Sequence, residues 1–446
     1  MSFIRNIEAI SDRIQSLEAV KTYGKVTAVS GTLIKCRGLE DFTAVGSRCK
    51  IKSSKNSKLE VMCEIVGFDE QTTYLMSFFD TEGIGAGDYV EVISNANIIN
   101  PHISWVGRII NGFGEPIDKQ GPLTYGSEPY QLRAAPPSSH ARTRIGGKID
   151  LGVKAIDVFT PCCYGQRMGI FAGSGVGKSV LISMLTKYAH TDIKVIGLLG
   201  ERGREVKEFI EESLGPEGLA KAILVVATGD ESPLLRKRAA FVAMAIAEYF
   251  RDQGKEVLCI LDSVTRFAMA QREIGLAIKE PPTTKGYTPS VFSELPRLLE
   301  RAGPGTEGVH ITGLFTVLVD GDDHNEPIAD AVRGILDGHI ILDRSIAERG
   351  RFPAMDVLRS VSRAMPHCNN ELENRQVTFA RRMMSVYSNM AEMIRLGAYK
   401  KGSDREVDEA IKYWDQLEDF LKQAPNQYCN MHESYMQLGE IIGIVS

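Results

Sequence analysis

The sequence contains no hydrophobic run that approaches the roughly 18 apolar residues needed to cross a membrane. Its first residues, Met-Ser-Phe-Ile-Arg, lead into a polar helical pattern that lacks the features of a signal peptide. Its eight cysteines form no Cys-x-x-Cys pair and no Cys/His zinc spacing. Several of them lie inside apolar runs, as small buried side chains do in a reducing compartment. These absences argue against an integral membrane protein, a disulfide-rich secreted protein and a zinc-binding protein, and we expect a cytoplasmic protein.

The sequence also lacks a large excess of charge of one sign, because its 52 Lys and Arg residues are nearly balanced by 57 Asp and Glu residues. The net charge of −5 argues against a dedicated nucleic-acid binder and leaves room only for a local basic channel. There is no internal repeat and no low-complexity tract. A chain of 446 residues is too long for one ordinary core, so we expect two or three domains.

The hydrophobic pattern changes along the chain and predicts four regions. Residues 1–19 have apolar residues at helical spacing and predict an amphipathic helix, which packs on its own domain or docks on a partner. Residues 20–98 contain short strands separated by Gly, Asn, Asp and Ser, and predict a small β-barrel. In residues 99–365 strands alternate with helices, which is typical of an α/β domain with a mostly parallel sheet. Residues 366–446 predict a helical C-terminal domain, with a capping box over 403–406.

The α/β region is resolved further by its apolar runs. Near-continuous runs predict strands over 167–171, 194–199, 222–227, 256–261, 310–319 and 338–342. Apolar residues at helical spacing predict helices over 178–189, 203–213, 234–253 and 264–278. Strands and helices that alternate in this way build a parallel sheet that is covered by helices on both faces.

Residues 170–179, Ile-Phe-Ala-Gly-Ser-Gly-Val-Gly-Lys-Ser, have the form of a phosphate-binding loop between an apolar strand and a helix. The glycines let the backbone approach a polyphosphate, and the N-terminus of the helix adds its positive dipole. Lys178 would reach the β- and γ-phosphates, and the Ser179 hydroxyl would bind Mg²⁺. A glycine-rich turn that merely precedes a lysine is the alternative. We predict ATP binding by these residues: Ala172, Gly173, Ser174, Gly175, Val176, Gly177, Lys178, Ser179 and Val180.

Further charged positions accompany this loop. Asp262 ends an apolar strand, where a carboxylate either holds the water shell of Mg²⁺ or only caps the next helix. Glu201 follows another strand and would lie at the same edge of the sheet, where it can polarise the water that attacks the γ-phosphate. Arg202, Arg204 and Glu205 offer charges for the phosphates, for the metal shell or for ion pairs. An interface salt-bridge network is the alternative for the two arginines. Arg363 is either a surface residue or an arginine that acts on a neighbouring subunit.

Six segments carry a resemblance to a known family. They are residues 106–118 (Val-Gly-Arg-Ile-Ile-Asn-Gly-Phe-Gly-Glu-Pro-Ile-Asp), 151–157 (Leu-Gly-Val-Lys-Ala-Ile-Asp), 165–171 (Gly-Gln-Arg-Met-Gly-Ile-Phe), 171–179, 262–275 (Asp-Ser-Val-Thr-Arg-Phe-Ala-Met-Ala-Gln-Arg-Glu-Ile-Gly) and 281–292 (Pro-Pro-Thr-Thr-Lys-Gly-Tyr-Thr-Pro-Ser-Val-Phe). In this order they resemble the hexameric rotary-type ATPases, and most closely the flagellar and type III secretion export ATPases. The resemblance covers the chain from about residue 20 to the C-terminus. With alanine at position 172, the first position of the loop is similar to that of the export ATPases rather than to that of the ATP synthase β subunit.

The resemblance implies a role for each matching residue. Glu201 resembles the glutamate that activates water, with Arg202 beside it and Glu205 near the water shell of the metal. Asp262 resembles the Walker B aspartate, and Arg266 resembles an arginine on the phosphate side. Phe352 resembles the aromatic residue that stacks on adenine, and Arg363 resembles the arginine finger. The implied catalytic set is Lys178, Glu201, Arg202, Asp262 and Arg363, and the implied Mg²⁺ set is Ser179, Glu205 and Asp262.

The resemblance also implies partners and a location. The family forms a cytoplasmic homohexamer around a coiled-coil stalk protein, peripheral to the export apparatus of the inner membrane. Its N-terminal helix binds a stator-like regulator, and its helical C-terminal domain meets chaperones and export substrates near the export gate. We therefore expect a protein-exporting ATPase of the flagellar system.

Three alternatives stay open at this point. A virulence-associated type III secretion ATPase has similar motifs, and the loop sequence only leans towards the flagellar version. An RNA translocase similar to the terminator Rho shares Asp-Ser-x-Thr-Arg after the Walker B strand, but residues 20–98 are mixed in charge and contain few aromatics. A non-catalytic subunit of a rotary synthase would lack part of the catalytic set, which is complete here.

Overall fold

The computed structural model describes residues 21–56, 58–94, 97–138, 140–319 and 326–445. The helix predicted over residues 1–19 lies outside the described residues. The chain divides into two compact units after Asn97, with residues 277–279 grouped with the first unit. The domain boundaries that the sequence predicts at 98/99 and 365/366 stay predictions.

The first unit contains a closed antiparallel barrel of six strands, as the sequence predicts. They are β1 (Tyr23–Ser30), β2 (Leu33–Arg37), β3 (Arg48–Lys52), β4 (Glu60–Asp69), β5 (Thr72–Ser77) and β6 (Tyr89–Ser94). Around the barrel the order is β1-β2-β5-β4-β3-β6, and β6 pairs with β1 to close it. Alternate residues point inwards because side chains alternate along a strand. The barrel core includes Val26, Ile34, Cys36, Cys49, Ile51, Val61, Cys63, Ile65, Leu75 and Val90.

The second unit is built on a nine-stranded sheet. Its strands are β8 (Ile109–Asn111), β10 (Arg167–Ala172), β11 (Ile193–Glu201), β12 (Ala222–Thr228), β13 (Val257–Asp262), β14 (Gly303–Pro304), β15 (His310–Leu318), β16 (Gly338–Leu342) and β17 (Val361–Ser362). The order is β17-β16-β10-β15-β13-β11-β12-β8, with β14 paired to β15. Only β14 and β17 run antiparallel to their neighbours. Two short strands, β7 (Ile98–Ile99) and β9 (Tyr130–Gln131), pair separately.

Helices cover both faces of this sheet. They are α1 (Lys154–Phe159), α2 (Lys178–Tyr188), α3 (Gly203–Glu208), α4 (Gly215–Leu219), α5 (Pro233–Asp252), α6 (Val264–Ala277), α7 (Pro289–Leu299), α8 (Pro327–Ile335) and α9 (Arg344–Glu348). Alternate residues of the strands serve different faces: Val195 and Leu199 pack with α5, whereas Ile196 and Leu198 join the core that contains α2. This is the two-sided burial that near-continuous apolar strands predict.

The C-terminal helices are α10 (Glu371–Arg395), α11 (Arg405–Leu421) and α12 (Met431–Ile442). The rings of Tyr387 on α10 and Trp414 on α11 are stacked, with centroids 3.9 Å apart and an interplanar angle of 10°. The helices pack on the face of the sheet that also holds α2. No helix among the described residues is long and apolar enough to cross a bilayer.

One local prediction is wrong. The capping box predicted at 403–406 is not formed, because Asp404 is the N-cap of α11 and accepts from the N–H groups of Glu406 and Val407. A reciprocal capping box is present at the start of α10, between Asn370 and Glu373. The residues predicted as a helix over 203–213 are helical, but the α-helix ends at Glu208 and residues 209–214 continue it as a π-helix.

Candidate functional site

The carboxyl ends of the parallel strands meet at one edge of the sheet. There β10 ends at Ala172, β11 at Glu201 and β13 at Asp262. β13 pairs in parallel with β11 on one side and with β15 on the other, and β15 pairs with β10. Because groups at the ends of neighbouring parallel strands converge, this edge brings the phosphate-binding loop and both predicted carboxylates together.

Residues 173–177 form the loop between β10 and α2. Gly175 has a φ of 78° and Gly177 a φ of 91°, a backbone region that residues with a side chain rarely adopt. Gly177 is the N-cap of α2 and Lys178 is its first residue. The first N–H groups of α2 have no partner within the helix, so the loop and the helix terminus together offer donors and a positive dipole to an anion.

Lys178 makes ion pairs with both predicted carboxylates. Its Nζ lies 3.3 Å from Glu201 Oε1 and also contacts Asp262 Oδ1. Burial disfavours the charged ammonium, but the carboxylates of Asp262 and Glu201 outweigh this and raise the pKa of Lys178 above its ordinary value. The Thr316 hydroxyl on β15 donates to the same oxygen, Asp262 Oδ1, at 2.7 Å and helps to fix that carboxylate. Lys178 is therefore charged at neutral pH and holds both acids in one cluster.

Glu201 has the electrostatic environment of a base. Burial raises the pKa of its carboxyl, and the negative charge of Asp262 adds to this rise, whereas Lys178 opposes it. A carboxylate with a raised pKa accepts a proton more readily than an ordinary one. The position of Glu201 at the strand end and its raised pKa both suit it to polarise an attacking water.

A cavity of about 450 Å³ lies at the loop. Most predicted nucleotide-binding residues line it, together with predicted acids and arginines: Gly173, Ser174, Gly175, Gly177, Lys178, Ser179, Val180, Glu201, Arg202, Glu205 and Arg266. Ala172 and Val176 do not, since both side chains are buried in the core. The lining also contains Leu318 and Val319, which the sequence reasoning missed. Both residues lie at the end of β15, at the same edge of the sheet, and this position could have indicated that they line the cavity.

The predicted metal ligands share a second, smaller cavity. Ser179, Glu205 and Asp262 line a space of about 20 Å³, and Glu201 joins them. Among the described residues, no group of three or more His, Cys, Asp or Glu side chains is arranged to hold a metal by itself. Mg²⁺ takes oxygen ligands and retains several waters. One hydroxyl and three carboxylates around a small space therefore fit a Mg²⁺ ion whose coordination is completed by bound phosphates and water.

Phe352 lies beside the loop. A Cβ atom placed on Gly177 would lie 3.4 Å from the Phe352 ring, which is 46% exposed. The guanidinium of Arg344 donates to the carbonyl oxygen of Ser174 in the same loop, at 3.1 Å. Arg344 was not among the predicted site residues, although this arginine follows the end of β16 at this edge of the sheet. An exposed ring next to a phosphate-binding loop offers a face on which a base can stack.

Arg363 is the predicted residue that the fold does not bring to this cluster. Its N–H donates to the carbonyl oxygen of Asp337 at 2.9 Å, and the Asp337 N–H donates to the carbonyl oxygen of Arg167 at 2.8 Å. Arg167 begins β10, whereas the phosphate-binding loop follows its other end. At about 3.3 Å per residue, the six residues of β10 separate the two ends by ~20 Å. The exposed Arg363 therefore lies at the opposite edge of the sheet from the loop of its own chain.

Two protein families match this chain. Residues 152–362 match the nucleotide-binding domain of the ATP synthase alpha/beta family, and residues 371–440 match the T3SS EscN ATPase C-terminal domain. The first match contains the loop, both carboxylates and Phe352, and the second contains most of the C-terminal helices.

Proteins of known name are similar over nearly the whole chain. The Flagellum-specific ATP synthase of Caulobacter vibrioides is 55% identical, over 96% of this chain and 98% of the relative. The Flagellum-specific ATP synthase of Bacillus subtilis is 47% identical, over 98% of this chain and 99% of the relative. A solved structure of the assembled ATPase EscN from the type III secretion system of enteropathogenic E. coli is 40% identical and superposes with a TM-score of 0.87. It covers 94% of this chain, and this chain covers all of it.

These relatives decide between the alternatives that the motifs left open. Full-length similarity to flagellum-specific ATP synthases at 55% and 47% identity favours the flagellar function over the RNA translocase and the non-catalytic subunit. The 40% identity to EscN is lower than either of these values, which favours the flagellar version over the virulence-associated one. The loop, with Lys178, Glu201 and Asp262, lies within the residues that match the nucleotide-binding domain of this family. The chain belongs to the flagellum-specific branch of the ATP synthase alpha/beta family, the ATP-hydrolysing enzymes that energise flagellar type III protein export.

Proposed function

We propose that the chain hydrolyses ATP in a ring of six identical subunits, at sites that an arginine of the adjacent subunit completes. The observation that supports this most is the cluster of Lys178, Glu201 and Asp262, of which Lys178 and Glu201 line the loop cavity and Asp262 lines the smaller cavity. This cluster holds a cation for the phosphates, a base for water and a carboxylate for the metal. It contains every part of a P-loop hydrolysis site except the arginine.

Binding of ATP would exchange the partners of Lys178. The phosphate oxygens compete for its ammonium, which then neutralises charge on the β- and γ-phosphates while the loop N–H groups bind around them. Glu201, released from this ion pair, is free to orient and polarise the attacking water. Arg202 and Arg266 line the same cavity and add positive charge near the phosphates. The adenine base would stack on the exposed ring of Phe352.

Ser179, Asp262 and Glu205 would hold Mg²⁺, with Glu205 acting through a water molecule. When bound, the ion supplies positive charge against the charge that develops on the transferred phosphoryl group. The Thr316 hydroxyl orients Asp262 for this task through its hydrogen bond of 2.7 Å. ATP and Mg²⁺ are thus the two cofactors that we assign to the site.

Arg363 would act on the γ-phosphate that is bound to the adjacent subunit. Its position at the opposite edge of the sheet from its own loop supports an action in trans, and such an arginine is worth about 10³–10⁵ in rate. The assembled state named for the similar ATPase EscN supports a ring. Another structure of EscN contains its central stalk EscO, with a TM-score of 0.85 and 40% identity to this chain. We extend the assembled ring and the central stalk to this chain, and we propose a homohexamer around a coiled-coil stalk protein.

We place the ring in the cytoplasm, at the export apparatus of the inner membrane. We assign a stator-like regulator to the helix predicted over residues 1–19. We assign chaperones and export substrates to the helical residues 366–446, close to the export gate. No nucleic-acid partner is included in this proposal.

The rate of ATP hydrolysis per chain, measured against protein concentration without nucleic acid, tests the shared site. We expect the rate to rise steeply with concentration, because assembly brings Arg363 to the site of a neighbour. The Arg363→Ala variant should assemble over the same concentration range, followed by analytical ultracentrifugation, yet show no such rise. A wild-type rate per chain that is constant from the monomeric to the assembled range would contradict a site shared between subunits.

A further inference from the structure

Gln423 is a buried polar residue that connects the C-terminal helices to the nucleotide site. It follows α11 by two residues, and only 5% of its surface is exposed. Its side-chain Oε1 accepts from the N–H of Lys154 at 2.9 Å, and its Nε2 donates to the carbonyl oxygens of Gly152 and Gln427, both at 2.7 Å. Its own N–H donates to the carbonyl oxygen of Phe352 at 2.9 Å. Its side-chain amide and its N–H all bond within the protein, so they fix three chain segments relative to one another.

The segment that carries Phe352 is held from the C-terminal helices at a second point. The guanidinium of Arg351 lies 3.0 Å from Glu418 on α11 and donates to the carbonyl oxygens of Pro353 and Met355. Only 4% of Arg351 is exposed, so this ion pair is shielded from water. Phe352 thus lies between two anchors, the Arg351–Glu418 pair and the main chain of Gln423, while its ring remains exposed beside Gly177.

We infer that Gln423 is a positioning residue for the base of ATP, acting through Phe352. This inference rests on the proposed stacking of adenine on Phe352. A ring that is already held in place stacks at little further loss of conformational freedom, whereas a loosened ring must be ordered when the nucleotide binds. Because Gln423 lies directly after α11, the position of that helix sets how well the site binds the base. The hydrogen bonds of Gln423 described above reach neither the phosphate-binding loop nor Lys178, so we expect the contacts of the phosphates to persist without them.

The test separates binding of the base from binding of the phosphates. A fluorescent ATP analogue is displaced from the assembled protein by ATP and, separately, by inorganic triphosphate, which has no base. The variant Gln423→Met keeps the size of the side chain and the main-chain bond to Phe352, and it removes the three side-chain hydrogen bonds that hold this main chain in place. Gln427→Met is the matched control, because Gln427 is an exposed residue of the same loop. Phe352→Ala measures the full contribution of the ring, and the double variant Phe352→Ala/Gln423→Met measures the coupling between the two residues.

We expect Gln423→Met to weaken ATP binding by about tenfold, less than or equal to the loss in Phe352→Ala, since base–aromatic stacking is worth this much or more. Triphosphate binding should be unchanged, and so should both affinities in Gln427→Met. In the Phe352→Ala background, Gln423→Met should cause no further loss.

Two results would overturn the inference alone. In one, Phe352→Ala weakens ATP binding but Gln423→Met does not. In the other, Gln423→Met weakens ATP and triphosphate equally, which means that Gln423 only maintains the fold of the site. If Phe352→Ala itself leaves ATP binding unchanged, the stacking role proposed for Phe352 fails, and the inference fails with it.

Discussion

Replacement of Glu201 by Gln changes charge at the site with little change of shape. The amide oxygen can still accept from Lys178, whose Nζ lies 3.3 Å from Glu201 Oε1, so the loop and the neighbouring Asp262 keep their partners. What is lost is the negative charge that polarises the attacking water. We therefore expect Glu201→Gln to bind ATP as well as the wild type and to hydrolyse it much more slowly.

The size of the loss follows from the role of a general base. Such a group contributes about 10²–10⁴ in rate, which is ~3–5.5 kcal/mol of transition-state stabilisation. Burial of Glu201 raises the pKa of its carboxyl, and Asp262 adds to the rise. The base is active only when it is deprotonated, so the wild-type rate should rise with pH through this raised pKa and then level off. Glu201→Gln should lack that rise.

The assay combines single-turnover hydrolysis of radiolabelled ATP, from mildly acidic to mildly basic pH, with a binding titration at each pH. Glu208→Gln is the matched control, because Glu208 lies on the adjacent helix α3 and pairs with the exposed Arg204 at 2.7 Å outside the cavity. It should leave both binding and rate unchanged. Equal losses of ATP binding and hydrolysis in Glu201→Gln would show that Glu201 is structural. A retained rate would show that another group activates the water.

Three further predictions concern the shared site, the metal and the stability of the fold. Arg363→Ala should abolish hydrolysis, and mixing with Lys178→Ala subunits should restore part of it; no rescue in rings shown to be mixed contradicts the action in trans. Chelation of Mg²⁺ should stop hydrolysis, and Ser179→Ala should raise the Mg²⁺ concentration for half-maximal rate about tenfold, since loss of even a group that only supports a metal ligand costs this much; an unchanged requirement contradicts the ligand role. Burial alone would raise the pKa of Asp118, but hydrogen bonds from Arg108 lower it to about 2, so this carboxylate stabilises the fold above its unfolded pKa of 3.8. Asp118→Asn should therefore lower the free energy of unfolding by about 1.5–3 kcal/mol at pH 7. The difference from the wild type should shrink as pH falls from 3.8 towards 2. A difference that does not depend on pH would refute a stabilising role of the Asp118 charge.

Features that depend on a local pattern could be predicted from the sequence. The strand predicted over 338–342 has the same bounds in the structure, and the strand predicted over 222–227 is one residue longer. The phosphate-binding loop requires a strand, glycines, a lysine and a helix in immediate succession, so the motif itself determines the local geometry. Glu201 and Asp262 could be placed at the same edge because parallel strands end together.

Features that depend on distant segments could not be predicted in this way. Thr316 binds Asp262 only because β15 lies next to β13, and nothing in the local sequence of either strand gives that order. The same holds for β8, which pairs with β12 although more than a hundred residues separate them in sequence. The choice of Asp404 over Ser403 as the cap of α11 is a local competition between two good capping residues, and sequence alone does not decide it.

A single strand connects the two halves of the proposed catalytic unit. β10 ends in the phosphate-binding loop, and at its beginning the guanidinium of Arg167 binds the Asp337 carboxylate at 3.0 Å. The carbonyl oxygen of Asp337 in turn accepts from the N–H of Arg363 and from the side chain of Gln166. Each chain therefore has its loop at one end of β10 and Arg363 beside the other end, linked through Asp337. If Arg363 acts in trans as proposed, every loop receives an arginine only when the subunits close into a ring, because an open row leaves one loop without a partner. Under this proposal, ring closure is required for every site to be complete.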